Sequence, residues 1–172
     1  PPIQRGDLVL RYLRAFGPAS AADMQAWSGM TRLGETFAGV RERLIGFVDE
    51  AGRELFDVPD APRPDADVPA PVRFLGDFDN VVLGFAERSR IVSAESQKAL
   101  VAATRSYRAV LVDGVVGGSW SLARSKGAAT LTVTPFALLS RRDRRDVEAE
   151  GTAFLRFMAE GTPIQEVIVA AP

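Results

Sequence analysis

The stretch PDAPRPDADVPAPVR at residues 59–73 constrains this chain more than any other feature. Pro59, Pro62, Pro64, Pro69 and Pro71 lack amide donors, and the stretch holds almost no large apolar side chain, so it favours extended polyproline geometry over helix or sheet. It reads as a proline-rich linker dividing residues 1–58 from residues 74–172. An ordered loop strapped across the surface is the alternative reading. A chain of 172 residues, with 47% hydrophobic and 25% charged side chains, has the composition of a soluble globular protein and the length for two small domains.

Before the linker, Leu8, Val9, Tyr12, Leu13 and Phe16 fall at helical spacing, and Gly17-Pro18 ends the pattern. Ser20 and Asp23 stand in capping-box position for a short second helix that stops near Gly29, with Met24 and Trp27 on its inner face. Leu33, Phe37, Val40 and Leu44 oppose Arg32, Glu35, Arg41 and Arg43, which predicts a third, amphipathic helix. A tight turn between the second and third helices makes a helix-turn-helix. Residues 45–49 and 54–58, joined by the turn 50–53 containing Gly52, then read as a hairpin in the position of a wing.

After the linker, residues 74–85 read as a strand passing into a short helix, and residues 94–106 as a helix with Leu100 and Val101 inside. Residues 107–113, 115–122 and 128–136 are strand-length runs separated by Asp113-Gly114 and Ser125-Lys126-Gly127, turns that reverse antiparallel strands. Residues 143–158 repeat Val147, Phe154, Leu155 and Met158 at helical spacing, and residues 166–169 make a last strand. The predicted class is α+β: a winged helix-turn-helix module followed by a small antiparallel β-rich, barrel-like domain with helices.

The chain contains neither cysteine nor histidine, which removes disulfides, thiolate nucleophiles, imidazole bases and the usual zinc sites. No cofactor and no metal is implied. No apolar run is long enough for a membrane span and the start is unlike a signal peptide, so a cytoplasmic protein is expected. A net charge of −1 means that any grip on nucleic acid has to come from a local basic face.

Double-stranded DNA is the expected partner of the third helix, with Arg32, Arg41 and Arg43 as contacts, because such a helix fits the major groove. A solvated outer face is the alternative, and Glu35 and Glu42 dilute its charge. Arg53 is a further candidate DNA contact, at the wing tip where a winged helix can touch the backbone or the minor groove, although its neighbours Asp49, Glu50 and Glu54 repel phosphates. Arg124, Lys126 and the cluster Arg141-Arg142-Asp143-Arg144-Arg145 read better as solvated positions. Asp77, Asp79 and Glu87 suit turn and cap roles better than paired acid–base chemistry. Gly114, Gly117 and Gly118 lie between strands, so they shape a turn and a kink rather than a phosphate loop.

The runs Phe74-Leu75-Gly76-Asp77-Phe78-Asp79-Asn80 with Glu87-Arg88-Ser89-Arg90, Val112 to Trp120, and Thr134-Pro135-Phe136 resemble the C-terminal half of the winged-helix family that includes the AlkZ-type DNA glycosylases. Tyr12 to Ala19, followed by Asp23 and Trp27, resembles that family's internal winged-helix repeat. Gly76 stands where the family commonly has proline. The resemblance implies tandem winged helices, a small barrel-like domain, and removal of alkylated bases or unhooking of crosslinks by a glutamine motif, QxQ or QxD, in the family's first winged helix. That motif is absent: the residues two beyond Gln4, Gln25, Gln97 and Gln165 are Gly6, Trp27, Ala99 and Val167.

The expectation is therefore a C-terminal portion or shortened member that grips duplex DNA, alkylated or damaged duplexes included, with no catalytic residue of its own. Arg88 and Arg90 join the other arginines as backbone contacts, and the missing N-terminal winged-helix region is a further partner. A transcription regulator reading a specific operator, or a winged-helix protein-docking module, are the alternatives.

Overall fold

The computed structural model describes residues 4–103 and 108–172. These fall into two compact units, one from Pro1–Asp67 with Leu83–Glu87, the other from Val68–Val82 with Arg88–Pro172. The proline-rich stretch is shared between them. The architecture is mixed α+β, with a two-stranded sheet in the first unit and a curled five-stranded sheet in the second.

In the first unit, α1 (Arg5–Phe16) buries Val9, Leu10, Tyr12 and Leu13, as its apolar spacing predicts. The following α2 (Ala21–Ser28) begins at the expected capping box: the Ser20 hydroxyl accepts the Asp23 amide, and Asp23 accepts the Ser20 amide. It ends at Gly29 in the left-handed conformation. Met24 is buried, but Trp27 stays 41% exposed, its ring tilted against Tyr12 and Phe16 at the rim of their cluster.

The third helix is shorter than its sequence pattern predicts. Helix α3 (Leu33–Gly39) has seven residues, and the chain then tightens into a 3₁₀ turn at Arg41–Arg43. Gly34 and Gly39 each disfavour helix by about 1 kcal/mol relative to alanine, which offsets the apolar spacing that continues to Leu44. Strands β1 (Ile45–Val48) and β2 (Glu54–Asp57) form the expected antiparallel hairpin, with Ile45 opposite Asp57 and Val48 opposite Glu54. Just past β2, Arg63 straps the chain down by donating to the buried Asp57 carboxylate and to the carbonyls of Val58 and Pro59.

The second unit is built on the sheet order β3-β4-β5-β6-β7. Strands β3 (Arg73–Phe74), β4 (Ala109–Val112), β5 (Val115–Ser125) and β6 (Ala128–Pro135) pair antiparallel. Val112 sits opposite Val115 across the two-residue turn Asp113-Gly114, both with positive φ as that hairpin requires. The expected kink is a register shift: Val110 faces Gly118 but Leu111 faces Val116, leaving Gly117 as the extra residue. Gly118 passes so close to β6 that a Cβ there would lie 2.8 Å from the Thr134 carbonyl oxygen.

Helix α6 (Arg141–Met158) carries the chain back across one face so that β7 (Ile164–Val169) joins β6 in parallel rather than extending the antiparallel meander. Between α6 and the sheet lie Leu131, Val133, Val147, Leu155 and Trp120, with Phe154 stacked on Phe74. Two short helices, α4 (Asn80–Leu83) and α5 (Ala94–Ala103), accompany a second core of Leu75, Val82, Val92, Leu100, Leu111 and Val116. Val101, expected inside, faces outward. Residues 104–106 of the expected helix and Tyr107 of the expected strand lie outside the described residues. No helix among the described residues is long and apolar enough to cross a membrane.

Candidate nucleic-acid interface

The shortening of α3 redistributes the arginines expected on it. Arg32 precedes the helix, at the N-cap with φ 58°, and Arg41 and Arg43 follow it on the 3₁₀ turn. The exposed positions of α3 itself are Gly34, Glu35, Ala38 and Gly39, so the helix carries no arginine. What it presents is a ridge of three small residues and the acidic Glu35, bracketed by basic side chains.

These basic side chains differ in how firmly they are held. The Arg41 guanidinium donates to the Leu44 carbonyl at 3.3 Å, approaches Glu54 at 3.7 Å and lies over the Phe56 ring. Arg32 and Arg43 are exposed, and neither makes an ion pair among the described residues. Arg5, at the start of α1, donates to the Thr31 carbonyl and so stands next to Arg32. No local sequence pattern signals this pairing, because it depends on how the 29–32 turn packs against a helix 26 residues away.

At the hairpin turn Arg53 is engaged twice. Its guanidinium lies 2.6 Å from Asp49 and 3.5 Å from Glu87. The Arg53 amide foremost, and then its side chain, hold the Asp49 carboxyl below the usual carboxylate range. Arg53 is thus neutralised, and with Glu50 and Glu54 beside it the turn is net acidic.

Asp23 has a second role invisible in its capping-box spacing. It is 3% exposed, and while one oxygen caps α2, the other accepts the amides of Ala86 and Glu87 at 2.9 and 3.2 Å. Burial raises its pKa, but the hydrogen bonds from Ser20, Glu87 and Ala86 together outweigh that effect and lower it. The Tyr12 hydroxyl donates to the Gly84 carbonyl at 2.7 Å, so residues 83–87 are fastened to the first unit by polar contacts on two helices.

In the second unit Arg88 is half-buried and Arg90 exposed, on a turn where the Arg88 carbonyl accepts the amides of Ile91 and Val92. Asp77 and Asp79 do not form an acid–base pair. Asp77 accepts a bidentate fork from Arg108 at 2.8 and 3.0 Å, and Asp79 caps the Val81 amide. Arg108 in turn lies over the Trp120 ring, and its pKa is raised by the hydrogen bond to Asp77. The cluster at 141–145 is a capped helix start, with Arg142 paired to Asp146 and Arg144 to Glu148. A groove beside it is lined by Asp113, Asp143, Asp146 and Glu150 against the single Arg142, so its net charge is acidic and disfavours phosphate.

Two glutamines have structural partners. Gln25 accepts the Leu33 amide, and Gln165 donates to the Ala159 and Thr162 carbonyls. No cluster of three metal-ligating side chains occurs among the described residues.

Comparison with known proteins bears on what this surface meets. Residues 3–157 match the family model described as DNA glycosylase AlkZ-like. A curated relative, the interstrand DNA cross-link repair glycosylase of Streptomyces sahachiroi, is 28% identical over 158 residues, covering 87% of this chain and 41% of the relative. The solved structure of the Streptomyces sahachiroi DNA glycosylase AlkZ superposes with a TM-score of 0.69 at 24% identity, over 97% of this chain and 45% of that one. The chain thus spans less than half the length of the relatives it matches.

Proposed function

Since the chain belongs to the AlkZ-like DNA glycosylase family, we propose that these residues form a duplex-gripping part of a DNA-repair glycosylase, distinct from its cleavage centre. The first unit acts as a winged helix: α2 and α3 form the helix-turn-helix and the β1–β2 hairpin is the wing. Arg5, Arg32 and Arg43 hold phosphates around α3, while Arg88 and Arg90 supply contacts from the second unit. Arg41 and Arg53 contribute less, being held by carboxylates.

One observation carries this reading. The exposed ridge of α3 is Gly34, Glu35, Ala38 and Gly39, and Arg32 and Arg43 flank it. Gly34, Ala38 and Gly39 let a helix approach a sugar–phosphate backbone closely, and none of the four donates a bidentate pair to a base edge, as Arg, Asn or Gln do in direct readout; Glu35 repels phosphate and can only accept from a base amino group. Such a surface holds any duplex about equally. That suits a protein searching for lesions and disfavours the operator-reading regulator, which needs base contacts on this helix. Glycosidic cleavage is not assigned to these residues, because the glutamine motif implied by the family resemblance is absent from them.

Binding of the full chain to a plain and an abasic-site duplex, measured at about 50 and about 200 mM salt, tests the proposal. Affinity should fall steeply with salt. Replacing Arg5, Arg32 and Arg43 together by glutamine should flatten the log–log slope by roughly 0.9 for each phosphate no longer neutralised. Unchanged affinity and slope in that variant would remove the assignment. A strong preference for one sequence among random duplexes would favour the regulator instead.

A further inference from the structure

The loop at residues 76–79 presents an aromatic side chain in a way that the fold itself does not require. Phe78 is 62% exposed and holds φ 57°. Two other described non-glycine residues have positive φ. Asp113 sits in a two-residue hairpin turn, and Arg32 at the start of a helix. An aromatic residue has no short polar group to stabilise the left-handed region, where an L-residue is disfavoured and glycine is not. Exposing the ring adds a second penalty, since it contributes nothing to the core of its unit.

The loop is nevertheless fixed on both sides of Phe78. Before it, Asp77 is clamped by the Arg108 fork, Arg108 lies over Trp120 at 5.1 Å, and the Trp120 indole N–H donates to the Leu75 carbonyl at 2.8 Å. After it, the Asp79 carboxylate accepts the Val81 amide and the Asp79 carbonyl accepts the amide of the buried Val82. A rigid support around a protruding ring lowers the entropy lost when that ring engages a partner.

We propose that Phe78 is a stacking residue for a nucleobase left without its neighbour in a damaged duplex. This rests on the duplex-gripping reading above. Its chain neighbours Gly76, Asp77, Asp79 and Asn80 are small or polar, with Val81 the nearest exposed apolar residue along the chain, unlike the wide apolar surround of a protein-docking core. A base needs only one π-face. Arg108 neutralises Asp77, so the loop adds stacking without adding phosphate attraction. In an intact duplex every base is already stacked, and the ring finds a partner only where the stack is broken, as at an abasic site or beside an extruded nucleotide.

The test compares wild type, Phe78→Ala and Phe78→Trp on an intact duplex and on one carrying an abasic site opposite 2-aminopurine, across a salt series. Phe78→Ala should weaken binding to the abasic duplex about 10-fold, within the range base–aromatic stacking supplies, and change intact-duplex binding less than about 2-fold. Because phenylalanine is uncharged, the salt slope should stay as in wild type. Phe78→Trp should restore binding, and 2-aminopurine fluorescence should be quenched by wild type and Phe78→Trp but not by Phe78→Ala. If wild type binds with salt sensitivity and Phe78→Ala matches it on both duplexes, the stacking role is overturned and the grip stands. Equal losses on both duplexes, or a flattened salt slope, would also overturn it. Absence of duplex binding by wild type would overturn the grip, and the stacking role with it.

Discussion

The Asp23 carboxylate accepts the Ala86 amide at 2.9 Å across 63 residues of sequence, while its other oxygen caps the helix on which it sits. One buried charge therefore fixes both the start of α2 and the segment 83–87. Asp23→Asn keeps the shape but replaces charge-assisted hydrogen bonds with neutral ones and turns an acceptor into a donor towards some of these amides. Loss of bonds of this kind costs about 1.5–3 kcal/mol, which denaturant unfolding would register as a lowered midpoint. An unchanged midpoint would show that the Ala86 and Glu87 amides find other partners.

The same carboxylate gives a signed pH dependence. Its pKa is lowered on folding from an ordinary value of 3.8. Above that value it is ionised in both states and its full contribution is present. As pH falls through that value the unfolded chain takes up its proton first, so stability declines until the folded pKa is passed. Wild type should lose stability more steeply than Asp23→Asn over this acid range, a difference readable by thermal melts at a series of pH values. Parallel acid profiles would contradict it.

Two glycines should respond in opposite directions to alanine. At Gly118 a Cβ would stand 2.8 Å from the Thr134 oxygen and 3.1 Å from the Pro135 Cα, both backbone atoms of β6 that cannot move without opening the sheet. Gly118→Ala should destabilise by about 1–3 kcal/mol. At Gly34 nothing lies within 4 Å, so Gly34→Ala should stabilise α3 by up to about 1 kcal/mol. Chemical denaturation of the two variants checks both signs.

Arg53→Ala should weaken duplex binding less than Arg32→Ala. The Arg53 guanidinium is already bound by Asp49 and Glu87, so removing it withdraws little available positive charge. Arg32 has no ion pair among the described residues to compete with phosphate. Equal losses in a side-by-side titration would mean that DNA displaces the Arg53 carboxylates.

Features encoded by neighbouring residues are legible in the sequence. The Ser20–Asp23 capping box, the Gly29 stop and the Asp113-Gly114 turn each depend on a few adjacent side chains, and each appears where expected. Features needing a distant partner are not legible there. Asp23 reads as a cap, and only the packed chain brings Ala86 to its second oxygen. The spacing of Leu33, Phe37, Val40 and Leu44 extends the third helix too far, because periodicity does not weigh the helix cost of Gly34 and Gly39. Val101 fits an inner face by spacing yet faces outward, and Trp27 packs on Tyr12 and Phe16 but stays partly exposed, since burial depends on which partners arrive. The positive φ of Phe78 is likewise set by the clamps on either side of it rather than by its own preference.

Those clamps yield the last expectation. Arg108 holds Asp77 through two hydrogen bonds and lies over Trp120, yet the pair is partly exposed, so its removal should cost the fold no more than about 1 kcal/mol. Its larger effect should fall on Phe78. With Arg108→Gln the loop is released on one side and the ring has to be ordered on binding, so preference for the abasic duplex should drop while the intact duplex is bound nearly as before, apart from any charge effect visible in the salt slope. Because Arg108 acts through Phe78, its effect on that preference should largely vanish in a Phe78→Ala background, which a double-mutant cycle measures directly. A guanidinium stays charged throughout this range, so this coupling should be flat from about pH 6 to about pH 9. Additive losses would instead place Arg108 on the DNA in its own right.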